Sequence, residues 1–343
     1  MNRVKSVVLL LISLSLLFLV IGGVSAGYLF YYRIHQPLQL PGRHLFLTIK
    51  KGDSFREVEQ KLIEMGVLKK GWTFFLLGKI MGYSRHIQAG EFLINTRWSM
   101  LQLLTYLVKG PPYLHEVLIP EGLTWWQVGE ILNREGIVPF TDFKKIVFDK
   151  EFLLHNHIPG ASVEGYLFPD TYKFQAGKGI KYAREVAETM VDEFWRVART
   201  RLWPQGLPSY KKVFEIVILA SMVEKEAMKD FERPIIAGVF INRLKKHMRL
   251  QCDPTVIYGL GINFSGRLRK KDLQDKSNPY NTYVYFGLPP GPICSPGVAS
   301  LEAAIHPMKH SYLYFVARGN GTHKFSKTLK EHNRAVYKYL IKK

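Results

Sequence analysis

Phe214-Glu-Ile-Val-Ile-Leu-Ala-Ser-Met-Val-Glu224-Lys-Glu226-Ala-Met228 is the most apolar helical stretch beyond the N-terminus. A helix apolar almost all round is buried on all sides, so Val213–Met228 predicts the central helix of a packed domain. Carboxylates at the end of such a helix are costly unless paired or used. Glu224 and Glu226 are two residues apart and face different ways. Glu224 has Ala220, Ser221, Ala227 and Met228 three and four residues away, all uncharged. Glu226 has Lys229 and Asp230 on one side. An apolar setting keeps a carboxyl protonated near neutral pH, as a general acid requires. The neighbours therefore pick Glu224 as the proton donor and leave Glu226 to an ion pair with Lys229.

Downstream, Leu250-Gln251-Cys252-Asp253-Pro254-Thr255-Val-Ile-Tyr258 is a polar cluster that opens an apolar turn, with Asp253 as a cap ahead of Pro254. Ser277-Asn-Pro-Tyr280-Asn281-Thr282-Tyr283 offers amides and phenols, groups suited to sugar hydroxyls and N-acetyl groups. Gly287-Leu-Pro-Pro-Gly291-Pro-Ile-Cys294-Ser-Pro-Gly297 is a stiff loop that presents backbone groups at fixed positions. From these segments Gln251, Asp253, Thr255, Tyr258, Asn281, Tyr283 and Gly291 are the candidate substrate-binding residues. Glu164 and Asp170 fit a cleft wall or plain turn and cap positions equally.

Upstream, the first residues decide the compartment. Arg3 and Lys5 precede a run from Val7 to Tyr32 without a charged residue. Such a run exceeds the roughly 20 residues that cross a bilayer, and Tyr28, Tyr31 and Tyr32 place rings where an interfacial belt lies. The reading is a retained anchor with its N-terminus in the cytoplasm. A cleaved signal at Val24-Ser-Ala26 is the rival. Both readings put the rest of the chain outside the cytoplasm. The 343 residues carry 48 Lys plus Arg against 28 Asp plus Glu, a formal net charge of +20. That charge attracts polyanions, and export directs it to membrane or wall rather than nucleic acid. Two cysteines, Cys252 and Cys294, exclude a disulfide-rich scaffold and a multi-cysteine zinc site.

The predicted fold class is α+β. Residues 1–34 are the cytoplasmic tip and membrane helix, and 35–43 a Pro- and Gly-containing linker. In 44–110, strand Leu45–Ile49, helix Phe55–Met65, helix Trp72–Met81 and strand Ala89–Asn95 follow the order of a small LysM-like carbohydrate-binding module, with a further helix at Met100–Val108. Residues 111–343 form the loop-rich domain that carries Glu224. An internal repeat at an offset of 70 residues links Ile49-Lys-Lys-Gly52 to Ile119-Pro-Glu-Gly122, Val58 to Val128, Leu62 to Leu132, and Gly66 to Gly136. It marks a second strand–helix module within 118–174.

Taken in order, Ala220-Ser-Met-Val-Glu-Lys-Glu-Ala227, Val239-Phe-Ile-Asn-Arg-Leu244, Leu250 to Gly259, Tyr280-Asn-Thr-Tyr283, Gly287-Leu-Pro-Pro-Gly-Pro-Ile293 and Ser311-Tyr-Leu-Tyr-Phe-Val316 resemble the YceG-like family of membrane-anchored endolytic murein transglycosylases. Glu164-Gly-Tyr-Leu-Phe-Pro-Asp-Thr-Tyr172 fits it too. The resemblance implies cleavage of the bond between N-acetylmuramic acid and N-acetylglucosamine within nascent strands, leaving a 1,6-anhydromuramic end and terminating elongation. It implies Glu224 as the single acid and then base, with neither metal nor cofactor. Its partners are glycan strands, membrane lipid and peptidoglycan synthases, with no nucleic acid. A non-catalytic wall-binding scaffold would share the anchor and the charge, but not a buried helix ending in an acid. The family often carries threonine where Cys252 stands and alanine where Cys294 stands. The paired departure allows a disulfide between them, with two independent small buried residues as the alternative.

Overall fold

The computed structural model describes residues 2–38, 45–95 and 97–342. Most of the expected linker, 39–43, lies outside the described residues. The chain divides into two compact units, one up to Leu114 and the other from His115 onward.

The first unit begins with α1 (Asn2–His35), a 34-residue helix. Its segment Lys5–His35 is long and apolar enough to cross a membrane, with a mean hydropathy of 2.9 over its most apolar 18 residues. Its last turns leave that pattern: Ile34 is buried and Phe30 packs beside it on the unit's core. The module then runs β1 (Leu45–Ile49), α2 (Phe55–Glu64), α3 (Trp72–Ile80), β2 (Gly90–Ile94) and α4 (Met100–Lys109). The strand, helix, helix, strand order is the one read from the sequence. β1 and β2 pair antiparallel, from Leu45 opposite Ile94 to Ile49 opposite Gly90.

The second unit opens with β3 (His115–Leu118) and α5 (Trp125–Arg134), then α6 (Phe140–Val147) and α7 (Lys150–His155), and β4 (Thr171–Phe174) returns antiparallel to β3. The 70-residue repeat is structural. Ser54 and Thr124 each close a capping box, with Glu57 and Gln127. Val58, Leu62, Val128 and Leu132 are all fully buried. Gly52 and Gly122 are left-handed at φ 97° and 77°, a conformation that L side chains adopt only under strain.

Next come α8 (Ile180–Val197), α9 (Tyr210–Glu226), α10 (Arg233–Lys245), α11 (Asp253–Leu260), α12 (Lys270–Leu273), α13 (Val298–Ile305), the hairpin of β5 (Tyr314–Ala317) and β6 (His323–Ser326), and α14 (Leu329–Val336). α9 is the central helix: Val213 and every residue from Ile216 to Val223 are buried. Ser221 anchors the proline-rich loop to it by accepting from the amide of Ile293 at 3.0 Å. That loop also pairs with the turn after β3, where Gly122 donates to the Ser295 carbonyl and Ser295 to that of Leu123. Gly165 shows how tight this packing is. Its φ is +84°, and an added Cβ would lie 2.7 Å from both Pro292 and Val217.

Candidate active site

α9 stops at Glu226, and its two terminal glutamates enter opposite environments. Glu224 turns toward α10 and α13. Its Oε1 accepts from Arg233 Nη1 at 3.1 Å and its Oε2 from the Gly297 amide at 3.0 Å. The two side chains are 8% and 10% exposed. Arg233 also donates to Ser300 Oγ at 2.5 Å and, through Nε, to Asp230 at 3.1 Å. Gly297 is the N-cap of α13, so Glu224 caps a helix start, where a negative charge is favourable. Both its oxygens accept.

Glu226 turns the other way, into a cleft of about 410 Å³ lined also by Arg243, Gln251, Asp253, Tyr283, His323 and His332. Burial pushes its carboxyl above the ordinary range, and the charge of Asp253 adds to the rise; the Cys252 thiol and His323 act against it. The hydrogen bond is Cys252 Sγ to Glu226 Oε1 at 3.2 Å. A thiol is a weak donor, so it orients the carboxyl without cancelling the effect of burial. A carboxyl raised by burial beside an open cleft is equipped to donate a proton.

The cleft wall is built by the segment that starts α11. Pro254 follows Asp253 in its first turn, and Cys252 stands at the cap. Gln251 is left-handed at φ 51°, a backbone cost of order 1 kcal/mol for a residue with a side chain. It is held there by its amide, which donates to the Thr282 carbonyl, and by its Oε1, which accepts from Arg243 Nη1 at 3.3 Å. Arg243 further donates to the carbonyls of Leu313 and Leu250 at 2.7 and 2.9 Å. Tyr283 donates its hydroxyl to Asp253 Oδ1 at 2.5 Å. On the far side, His323 Nδ1 meets Glu232 Oε2 at 2.8 Å while its backbone amide donates to Oε1 at 2.8 Å. Glu232 and His323 are 2% and 9% exposed.

Among known proteins, the YceG-like family matches residues 47–338 of this chain. The endolytic murein transglycosylase of Bacillus subtilis (strain 168) is 32% identical, over 95% of this chain and 92% of that protein. The protein of the same name from Streptococcus pneumoniae serotype 2 (strain D39) is 30% identical, over 93% of this chain and 64% of its own length. A crystal structure of a YceG-like protein from Listeria monocytogenes superposes with a TM-score of 0.56 at 32% identity, over 86% of this chain and all of that one.

The chain belongs to the YceG-like family.

Within this family member the expected site residues separate into three groups. Gln251, Asp253 and Tyr283 line the Glu226 cleft. Thr255 and Asn281 do not: both are fully buried. Thr255 bonds to the Cys252 carbonyl and to Thr282. Asn281 donates to the carbonyls of Asp272 and Asp275 and accepts from the Tyr283 amide. Their polar groups are committed to holding the loop. Tyr258 and Gly291 belong to a separate aromatic corner. Tyr258 stacks on Trp126 at 5.2 Å and against Tyr280 at 4.8 Å, and the Tyr280 hydroxyl abuts Gly291. Buried Glu164 sits in that corner, accepting from the Trp125 amide at 3.1 Å and from the Tyr258 hydroxyl, and burial raises its carboxyl to about 8. Asp170 is exposed and accepts from the adjacent Thr171 amide, as a turn residue does.

The neighbour comparison of the two glutamates is corrected. Arg233, nine residues on in sequence, supplies Glu224 with the cation that its helical neighbours lack, whereas the expected pairing of Glu226 with Lys229 does not form. Of the two readings of the cysteines, the structure has the second: Cys252 and Cys294 are free, buried thiols and not a disulfide. Cys294 Sγ reaches the Ser221 carbonyl at 3.4 Å and Cys252 Sγ reaches Glu226. Those attachment points are five residues apart on α9, about 7.5 Å along its axis. Arg243, His323 and His332 were not among the candidate residues; tertiary packing alone brings them to the cleft, with Glu232 bonded to His323.

Proposed function

We propose that this chain is an endolytic murein transglycosylase whose general acid is Glu226. The observation that carries the reading is a carboxyl raised by burial in an open polar cleft, on a chain whose relatives bear that name. Glu226 protonates the glycosidic oxygen between N-acetylmuramic acid and N-acetylglucosamine. The muramic acetamido oxygen stabilises the oxocarbenium-like centre. The C6 hydroxyl closes on C1, which leaves a 1,6-anhydro end and consumes no water. The nucleophile is on the substrate, so the second carboxylate of most glycosidases is not needed, and neither is a metal or cofactor. Gln251, Asp253 and Tyr283 hold the sugar.

The helix α1 anchors the enzyme as a single pass, with its N-terminus in the cytoplasm and the cleft outside. The β1–α2–α3–β2 module is LysM-like and binds glycan. Acting on nascent strands, the enzyme terminates elongation beside peptidoglycan synthases. The test is mass spectrometry of murein digested by wild type and by Glu226→Gln and Glu224→Gln. Products one water lighter than reducing ends, lost in the Glu226 variant and kept in the Glu224 variant, support the reading. Reducing ends from the wild type overturn the transglycosylase, and an active Glu226 variant overturns the acid.

A further inference from the structure

A transglycosylase has to dispose of a second proton, the one on the muramic C6 hydroxyl. We propose that His323, oriented by Glu232, is the base that takes it. This rests on the function proposed above and adds a second catalytic residue to it.

Four observations converge. His323 lines the same cleft as Glu226 and is close enough to act on its charge. Its Nδ1 is turned away from the cleft, into Glu232 Oε2 at 2.8 Å. A carboxylate only accepts, so Nδ1 carries the hydrogen and Nε2 offers a lone pair to the cleft. Glu232 also accepts the His323 backbone amide, which ties ring and backbone to one carboxylate. Finally, the pair is buried and joins residues 91 apart in sequence. Desolvating two such groups is costly and adds little stability, whereas a base held in one tautomer by a third group is the arrangement that activates hydroxyls in nucleophilic sites.

The step balances. Glu226 gives its proton to the glycosidic oxygen as the bond from that oxygen to C1 breaks. The C6 oxygen forms its bond to C1 and its proton passes to Nε2. Solvent then returns a proton to Glu226 and removes one from His323. The charged and titratable groups around the ring are Glu232 from the turn before α10, Glu226 from α9, Arg243 from α10, Asp253 from α11, Tyr283 from the loop after α12, and His332 from α14.

The experiment measures anhydro-product formation from purified murein sacculi across pH for wild type, His323→Gln, His323→Ala, Glu232→Gln and Glu226→Gln. A neutral base and a protonated acid together give a bell. His323→Gln is expected to lower kcat about 100-fold, within the usual range for general-base loss, and to remove the acid limb while keeping the alkaline one. Added imidazole should restore part of the rate in His323→Ala. Glu232→Gln removes the carboxylate that fixes the ring in one tautomer, so it should lower kcat with little change in KM. A His323→Gln profile that keeps both limbs at a rate within threefold of wild type overturns the proposal.

Imidazole nitrogen NMR of the wild type tests the tautomer even if the variants unfold. A lone pair on Nε2 supports the base, and a lone pair on Nδ1 overturns the proposal. Failure of the functional reading is seen separately, as a wild type that makes no anhydro ends. Failure of the acid is seen as an active Glu226→Gln.

Discussion

Glu224 and Glu226 share one helix end and one residue type, yet the fold treats them in opposite ways. Glu224 meets a guanidinium and a helix-cap amide and is committed to both. Glu226 meets a thiol and an open cleft and is committed to little. The difference is made by what packs against each face of α9. Identity and local spacing do not separate the two; tertiary partners do. The first and largest test breaks this contrast directly. Glu226→Gln should lower turnover by about 10²–10⁴-fold with little change in melting, whereas Glu224→Gln should stay within tenfold of wild-type turnover. The contrast collapses if a folded Glu224 variant is the inactive one.

Glu164 sharpens the comparison, since it is fully buried, bonded to Trp125 and Tyr258, and burial outweighs the charge of Lys225. Its carboxyl is raised to about 8 from 4.5 by burial. The folded protein therefore holds a proton through that interval which the unfolded chain has released. Wild-type stability should fall as pH rises from about 5 to about 8 and flatten above. Glu164→Gln cannot ionise and keeps the carbonyl that accepts from Trp125. It should lose this slope and gain on the order of 4 kcal/mol over wild type at pH 8 relative to pH 5. Urea unfolding at the two pH values checks it, and parallel slopes would rule out the assignment.

Glu224→Ala probes the committed side of the pair. It strands Arg233, which keeps only Ser300 and Asp230, and it uncaps α13. Removing one partner of a mostly buried pair costs about 3 kcal/mol, and that loss should appear in the urea midpoint at any salt concentration. A loss under about 1 kcal/mol, the scale of an exposed pair, would show that Glu224 is not the brace described above.

Elements were legible wherever a local rule sufficed. The Ser54 cap, the apolar spacing of α2 and the left-handed glycines of the repeat are all set within a few residues. α9 was legible as a buried helix because its composition leaves no polar face. α13 was hidden, since eight residues after a proline-rich loop give no periodic run. At the site, Gln251, Asp253 and Tyr283 were readable because polar side chains cluster there in sequence. Thr255 and Asn281 carry the same chemistry but point it at backbone carbonyls, and no spacing rule tells a loop brace from a ligand. The surroundings of the two glutamates were misread because helical neighbours were the only neighbours visible. Arg233, Cys252 and His323 reach α9 from separate segments.

Cys252 offers the smallest and most specific test of the Glu226 side. Its thiol donates to Oε1 and pulls the carboxyl down, against burial and Asp253. The thiol itself is raised well above its ordinary value by burial and by Glu226, so it stays a donor. Cys252→Ala removes that donor, and the Glu226 carboxyl should rise further. Because the acid works only while protonated, the alkaline limb of the rate profile should move to higher pH. Cys252→Thr supplies a stronger hydroxyl donor at the same branch point, and the limb should move to lower pH. Each displacement should be under about one pH unit, the scale of a single weak hydrogen bond. The acid limb belongs to a different group and should stay in place in both variants. Opposite shifts of one limb about a fixed other limb would tie the thiol to the working carboxyl; two variants with superimposable profiles would mean that Cys252 only fills space.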